Sequence, residues 1–242
     1  NGMSREQKLI LKKIYARSGI QSRHSVLSEF SGPDTAENQI FHPSGKYANA
    51  PVSKRMEIYE QHANKLCTLA AEDCFTQLPG LNKSDITHLI AFSCTGMYAP
   101  GIDIQLVDTL KLNRNVERTC INFMGCYAAI NALKTAYHIA RSQPEAIIML
   151  AGVELCTLHY QKNSDPNQAV ANALFADGAA VVIVSAKELK SKIRHNYKLK
   201  DFYAEFEQSA ANEMVWRIGD SGFDLRLTPE VPNVVKENIE PL

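Results

Sequence analysis

Between residues 88 and 186 the chain alternates short apolar runs with amphipathic ones, and this alternation restricts the fold more than any other feature. HLIAFSC (88–94), RTCINF (118–123), AIIMLAGVE (146–154) and GAAVVIVSA (178–186) each read as a strand. IDIQLVDTLKL (102–112) and the stretch from Tyr127 to Arg141 read as helices set between them. Near-continuous apolar strands separated by helices predict parallel pairing, with helices covering both faces of the sheet.

The flanks differ. Ser4-Arg5-Glu6-Gln7 has the form of a capping box opening a helix that Gly19 stops. Residues 30–52, rich in Pro, Ser, Gly and Asn, read as a long connection before a helix from about Lys54 to Gln77. Beyond Lys187, KLKDFYAEFEQ (198–208) and GFDLRLT (222–228) alternate apolar and polar residues as half-buried antiparallel strands do. Pro232 opens a further helix.

Composition narrows function. Lys plus Arg and Asp plus Glu stand at 26 each, so no global field recruits nucleic acid or an anionic membrane. No apolar run approaches the ~18 residues of a membrane span, and NGMSREQK lacks the apolar core of a signal peptide. The six cysteines form no CxxC or CxxH pair, so neither a metal site nor a disulfide framework is expected, and reduced thiols in the cytoplasm are. One of them is unusual in its position. In INFMGCYAAINALKTAYHIA (121–140) a strand meets a helix through Gly125, and Cys126 opens the helix. The free N–H groups and positive dipole end of a helix favour a thiolate, and Gly125 permits a tight turn and close approach of another group. The small residues Ala128, Ala129, Ala132 and Ala136 suggest a helix buried on several sides. On spacing alone, a nucleophile and a buried structural cysteine both remain open for Cys126; Cys67, Cys74 and Cys120 read as structural.

Five motifs act together on that choice. SGIQSRHS (18–25), CTGMYAPGID (94–103), VERTCINFMGCYAAINAL (116–133), NALFADGAAVVIV (172–184) and WRIGDSGFDLRLTPEVPNVV (216–235) resemble, in order and spacing, the chalcone-synthase-like type III polyketide synthases, bacterial members above all. The resemblance implies an α/β thiolase-like fold, a mixed and mostly parallel sheet layered with helices. Residues 1–186 would form the N-terminal half and 187–242 the start of a mostly missing C-terminal half. It implies a homodimer that uses acyl-CoA and malonyl-CoA as substrates without a further cofactor, condensing them by decarboxylative Claisen chemistry and cyclising the product to pyrone, resorcinol or naphthol types.

Residue by residue, the resemblance gives Cys126 the role of nucleophile in a Cys–His–Asn triad. It makes Phe175 a gate between the CoA tunnel and the cavity, with Leu225 in place of a second gating phenylalanine, a wider opening suited to long starters. Cys94 and Thr95 would line the cavity, and Ala99 would cross the dimer interface. Glu154, Cys156, Leu158, His159 and Trp216 would shape its floor; a hydrogen-bonded structural histidine and a core tryptophan are the plainer readings of the last two. Lys13 and Arg17 would meet the CoA phosphates, with Ile10 where a third base is usual; a solvated helix face is the plainer alternative. None of His24, His42, His62, His88, His138, His159 and His195 stands in the triad motif, so the chain reads as truncated at both ends and incapable of the full reaction alone. Two rivals remain: a single-condensation enzyme like ketoacyl synthase III, and a non-catalytic dimerisation or scaffold module.

Overall fold

The computed structural model describes residues 4–32, 38–41, 50–161, 166–192 and 196–239. The connection expected over 30–52 and the histidines His42 and His195 lie largely or wholly outside them. Contacts group the chain into two units. One comprises Asn1–Arg55, Cys156–Asp177 and Ala204–Leu242; the other comprises Met56–Leu155 and Gly178–Tyr203.

The second unit holds the sheet. Its strands are β1 (His88–Ser93), β2 (Glu117–Asn122), β3 (Ile147–Leu155) and most of β4 (Asp177–Ser185), in the order β2-β1-β3-β4. β1 pairs in parallel with both β2 and β3, as the apolar runs require. Helix α2 (Val52–Thr76) contributes most of its length to this unit, and α3 (Ile102–Leu110) and α4 (Ala128–Ser142) connect the strands and pack on the sheet.

The α4 helix departs from expectation. It buries a single stripe, Ala128, Ala132, Ala136 and Ala140, against Ile90, Ile148 and Leu150, while Ile130, Lys134 and His138 on its other faces are exposed. The alanines thus reflect close approach to the sheet on one side rather than burial all round. Another close approach fixes Gly152 in β3, whose α-carbon lies under the Phe92 ring, leaving no room for a Cβ.

The first unit is built differently. Helix α1 (Arg5–Arg17) opens on the expected capping box, with Gln7 N–H donating to Ser4 Oγ at 3.1 Å and Ser4 N–H to Gln7 Oε1 at 2.8 Å. It packs on α5 (Pro166–Leu174), a helix that the sequence reading did not foresee. The strands β5 (Met214–Gly219) and β6 (Gly222–Leu227) form an antiparallel hairpin, followed by α6 (Val231–Ile239). The strand expected over 198–208 is absent: that segment carries no regular element before the 3-10 turn at Gln208–Ala210, and its apolar side chains Tyr203 and Phe206 are exposed. Alternation without a covering partner gives no sheet. The strand β5, missed in the sequence, is the partner of β6.

Candidate active site

The turn that presents Cys126 is made by two left-handed residues. β2 ends at Asn122, then Phe123 (φ +60°) and Gly125 (φ +65°) reverse the chain. Phe123 N–H donates to the Ser93 carbonyl at 3.1 Å, tying the turn to the end of β1. Gly125 serves the backbone conformation alone, because nothing lies within 4 Å of the place a Cβ would occupy.

Gly125, Cys126 and Tyr127 form a single 3-10 turn that runs into α4. Neither N-cap residue, Met124 or Tyr127, caps its element through its side chain. Cys126 is exposed and opens a helix, and no other cysteine of the chain combines the two. Cys120 is also exposed, but lies in β2, and burial, followed by the nearby Asp103, pushes its thiol up to about 11. Cys67 is buried, its thiol pushed to about 12 by desolvation. A thiol held that high carries little thiolate near neutrality.

Behind the turn lies a polar knot. Cys94 Sγ donates to the Gly125 carbonyl at 3.3 Å, the carbonyl that also accepts from Ala128 N–H at the start of α4. The Glu154 carboxylate accepts from the Cys94 backbone N–H at 2.9 Å, from the Thr95 hydroxyl at 2.6 Å and, more weakly, from the Ser93 hydroxyl at 3.4 Å. Thr95 Oγ1 in turn accepts from Leu155 N–H at 2.8 Å. Burial raises the Glu154 carboxyl above the usual carboxylate range, and these donors offset part of the rise. Glu154 therefore anchors Cys94, and Cys94 reaches the turn of Cys126.

Beside this knot the segment 96–104 borders a cavity of about 290 Å³, with Tyr59, Met97, Tyr98, Ala99, Ile104 and Cys120 in its wall. Ala99 is exposed there. Gly96 sits directly under the Tyr59 ring, where any Cβ would fall inside the ring itself. Asp103, buried at the first turn of α3, pairs with Arg118 of β2.

The other residues singled out in the sequence belong to the first unit. Lys13 and Arg17 lie four apart on α1, both exposed, as Ile10 is. Phe175 is half-buried after α5, its N–H bonded to the Ala171 carbonyl at 2.9 Å. Asp177 opens β4 with its carboxylate engaged by Val26 and Thr157. Cys156, Leu158 and His159 occupy the 3-10 turn Cys156–His159. Leu225 stands directly opposite Trp216 in the β5–β6 hairpin. His159 is buried and stacks on Phe223, with centroids 4.1 Å apart, and Trp216 meets both rings edge-on. Its Nδ1 accepts Phe223 N–H at 3.0 Å. The structure thus gives His159 a hydrogen-bonded packing place. Among the described residues no cluster of His, Cys, Asp or Glu is arranged to hold a metal ion, and no helix is long and apolar enough to cross a membrane.

Known proteins match this chain in sequence and fold. The profile of chalcone and stilbene synthases, N-terminal domain, matches residues 3–188. A probable polyketide synthase 1 of Dictyostelium discoideum is 30% identical over 232 residues, covering 95% of this chain and 7% of that protein. An alpha-pyrone synthesis polyketide synthase-like protein of Mycobacterium tuberculosis is 25% identical, covering 96% of this chain and 57% of its own length. The crystal structure of the C-terminal type III polyketide synthase domain of Steely1, a hybrid enzyme from Dictyostelium, superposes with a TM-score of 0.84 at 29% identity, over 99% of this chain and 63% of that one. The fold is thiolase-like, and the chain spans about three fifths of that solved domain.

Proposed function

The chain belongs to the chalcone and stilbene synthase family, and from that premise we propose that it supplies the nucleophile of a type III polyketide synthase. The observation that carries this reading is Cys126 itself, exposed in the 3-10 turn that leads into α4. Its thiolate attacks the carbonyl of a starter acyl-CoA, the bond to the CoA sulfur breaks, and CoA leaves as its thiol. Malonyl-CoA then loses carbon dioxide, and the enolate carbon attacks the Cys126 thioester, releasing the cysteine and extending the chain by two carbons. Repeated extension and cyclisation give pyrone, resorcinol or naphthol products; the alpha-pyrone synthesis named for the mycobacterial relative favours the first.

Within this proposal Cys94, Thr95, Glu154, Cys156, Leu158, His159 and Trp216 shape the acyl cavity, Phe175 and Leu225 gate it, and Lys13 and Arg17 meet the CoA phosphates. Ala99 takes part in a homodimer. The triad histidine and asparagine have no match in residues 1–242, so this segment alone is expected not to turn over.

The test incubates the full-length protein with malonyl-CoA and acyl-CoAs of several lengths and identifies products and acylated peptides by mass spectrometry. The acyl group is expected on the peptide containing Cys126, and Cys126→Ala is expected to abolish it. Persistent loading in that variant would sink the assignment. Release after a single condensation would favour the ketoacyl-synthase alternative, and turnover by residues 1–242 would refute their dependence on a missing histidine and asparagine.

A further inference from the structure

Away from Cys126, the least expected group in the molecule is a fully buried arginine. Arg55, in the first turn of α2, is 0% exposed. Its Nε donates to the Ala50 carbonyl at 2.9 Å, and Nη1 donates to the carbonyls of Leu158 and, at 3.1 Å, Tyr160. The other terminal nitrogen, Nη2, is buried with no hydrogen-bond partner among the described residues. Among the described residues no carboxylate pairs with this guanidinium. Glu29 acts on it through space, while the Glu29 oxygens accept from Gln39, Ile40 and Phe41 N–H groups. Burial pulls the guanidinium down to about 10. A buried cation bonded only to carbonyls is a poor stabiliser and a strong orienter.

Two of these three carbonyls, those of Leu158 and Tyr160, lie in and just beyond the 3-10 turn Cys156–His159, and that turn is also gripped by a half-buried carboxylate. The Asp177 carboxylate accepts Thr157 N–H at 2.8 Å and the Thr157 hydroxyl at 2.7 Å, together with Val26 N–H at 2.8 Å. Consecutive residues, Thr157 and Leu158, are therefore held by opposite charges. The next residue, His159, carries the stack on Phe223. Arg55 reaches that contact from the other strand too. A Cβ on Gly222, the neighbour of Phe223, would stand 3.3 Å from Arg55 Nε, and the glycine adopts φ +129°.

We propose that Arg55 and Asp177 are positioning residues that fix the turn Cys156–His159, and through Cys156, Leu158 and His159 set which acyl chains the enzyme accepts. This rests on the polyketide reading above, which gives those three side chains to the cavity. A role in stability alone would lower the melting temperature of variants without altering what the folded protein makes.

The experiment compares full-length wild type with Arg55→Lys and Asp177→Asn, which disturb the turn from opposite sides, so one folded variant suffices. A short and a long acyl-CoA compete for each protein, and acyl loading of Cys126 is timed separately. Trp216, the sole tryptophan of the chain, reports the His159–Phe223 cluster by fluorescence. Either variant is expected to shift the short-to-long product ratio by ~10-fold, the range that one methylene of pocket shape commands. Loading is expected to stay within about twofold, and Trp216 emission to move to longer wavelength. A folded variant with the wild-type product ratio overturns the proposal, whatever its melting temperature. A wild-type protein that loads no acyl group instead refutes the polyketide reading, and the selectivity role falls with it.

Discussion

The parallel sheet behind Cys126 and the β5–β6 hairpin are both short and apolar, yet they are secured by different physics. In the sheet Leu89, Ile90 and Ile148 are fully buried, and α4 lays its alanine stripe across the last two. Area removed from water does the holding there, and area has no direction. In the hairpin Phe223 and Leu227 are the buried apolar side chains, and directed bonds fix its place: Phe223 N–H to His159, Gln161 Nε2 to Asp224 at 2.6 Å, and the Thr228 hydroxyl to Glu213. Volume changes should therefore injure the first region, and changes of donor, acceptor or backbone angle the second.

The sharpest way to break this contrast is Ile90→Ala. It leaves a cavity between β1 and α4 and is expected to cost about 2–5 kcal/mol by urea unfolding. A loss below about 1 kcal/mol would show that the sheet is not held by packing. Gly222→Ala adds one methyl group at φ +129° against Arg55, and about 1–3 kcal/mol is expected from backbone strain. If that variant is as stable as wild type, the hairpin tolerates a change of angle and the distinction fails. Ser4→Ala removes a directed bond far from both regions and sets the scale of a simple cap, ~1 kcal/mol in the same titration.

The smallest effect compares one half-buried carboxyl from each unit. Burial raises both Glu154 and Asp177 above the ordinary range. Folded protein thus retains protons that the unfolded chain releases once pH passes ~4. The stability each group contributes is complete below that window and is lost as pH rises through its folded value. Glu154→Gln and Asp177→Asn are expected to gain on wild type as pH climbs from about 4, read as a drift in the difference of unfolding free energies. A difference that stays flat would mean the charge carries no penalty at that position.

The same division explains what could be read in advance. Strands β1 and β3 and helices α3 and α4 were legible because burial imprints its period on side-chain type, and α1 because its capping box is local. Cys126 was legible as a helix-opening thiol, and the surrounding motifs singled out its role. The segment 198–208 was misread because alternation marks a half-buried surface only where the fold covers it, and Tyr203 and Phe206 are exposed. Arg55 was invisible: no period marks an arginine whose partners are carbonyls 5, 103 and 105 residues away. Nothing local announced that Cys94 would bond the Gly125 carbonyl 31 residues on, because strand pairing alone brings them together.

Gly96 and Tyr59 share one volume, the hydrogen of the glycine fitting beneath the aromatic ring. In evolutionary terms they are a single locus with two addresses. A lineage adds bulk at 96 only after trimming the ring at 59, and each change alone passes through an overpacked intermediate. Because both residues border the same cavity, such an exchange would redraw its wall while leaving the volume of the protein interior nearly constant.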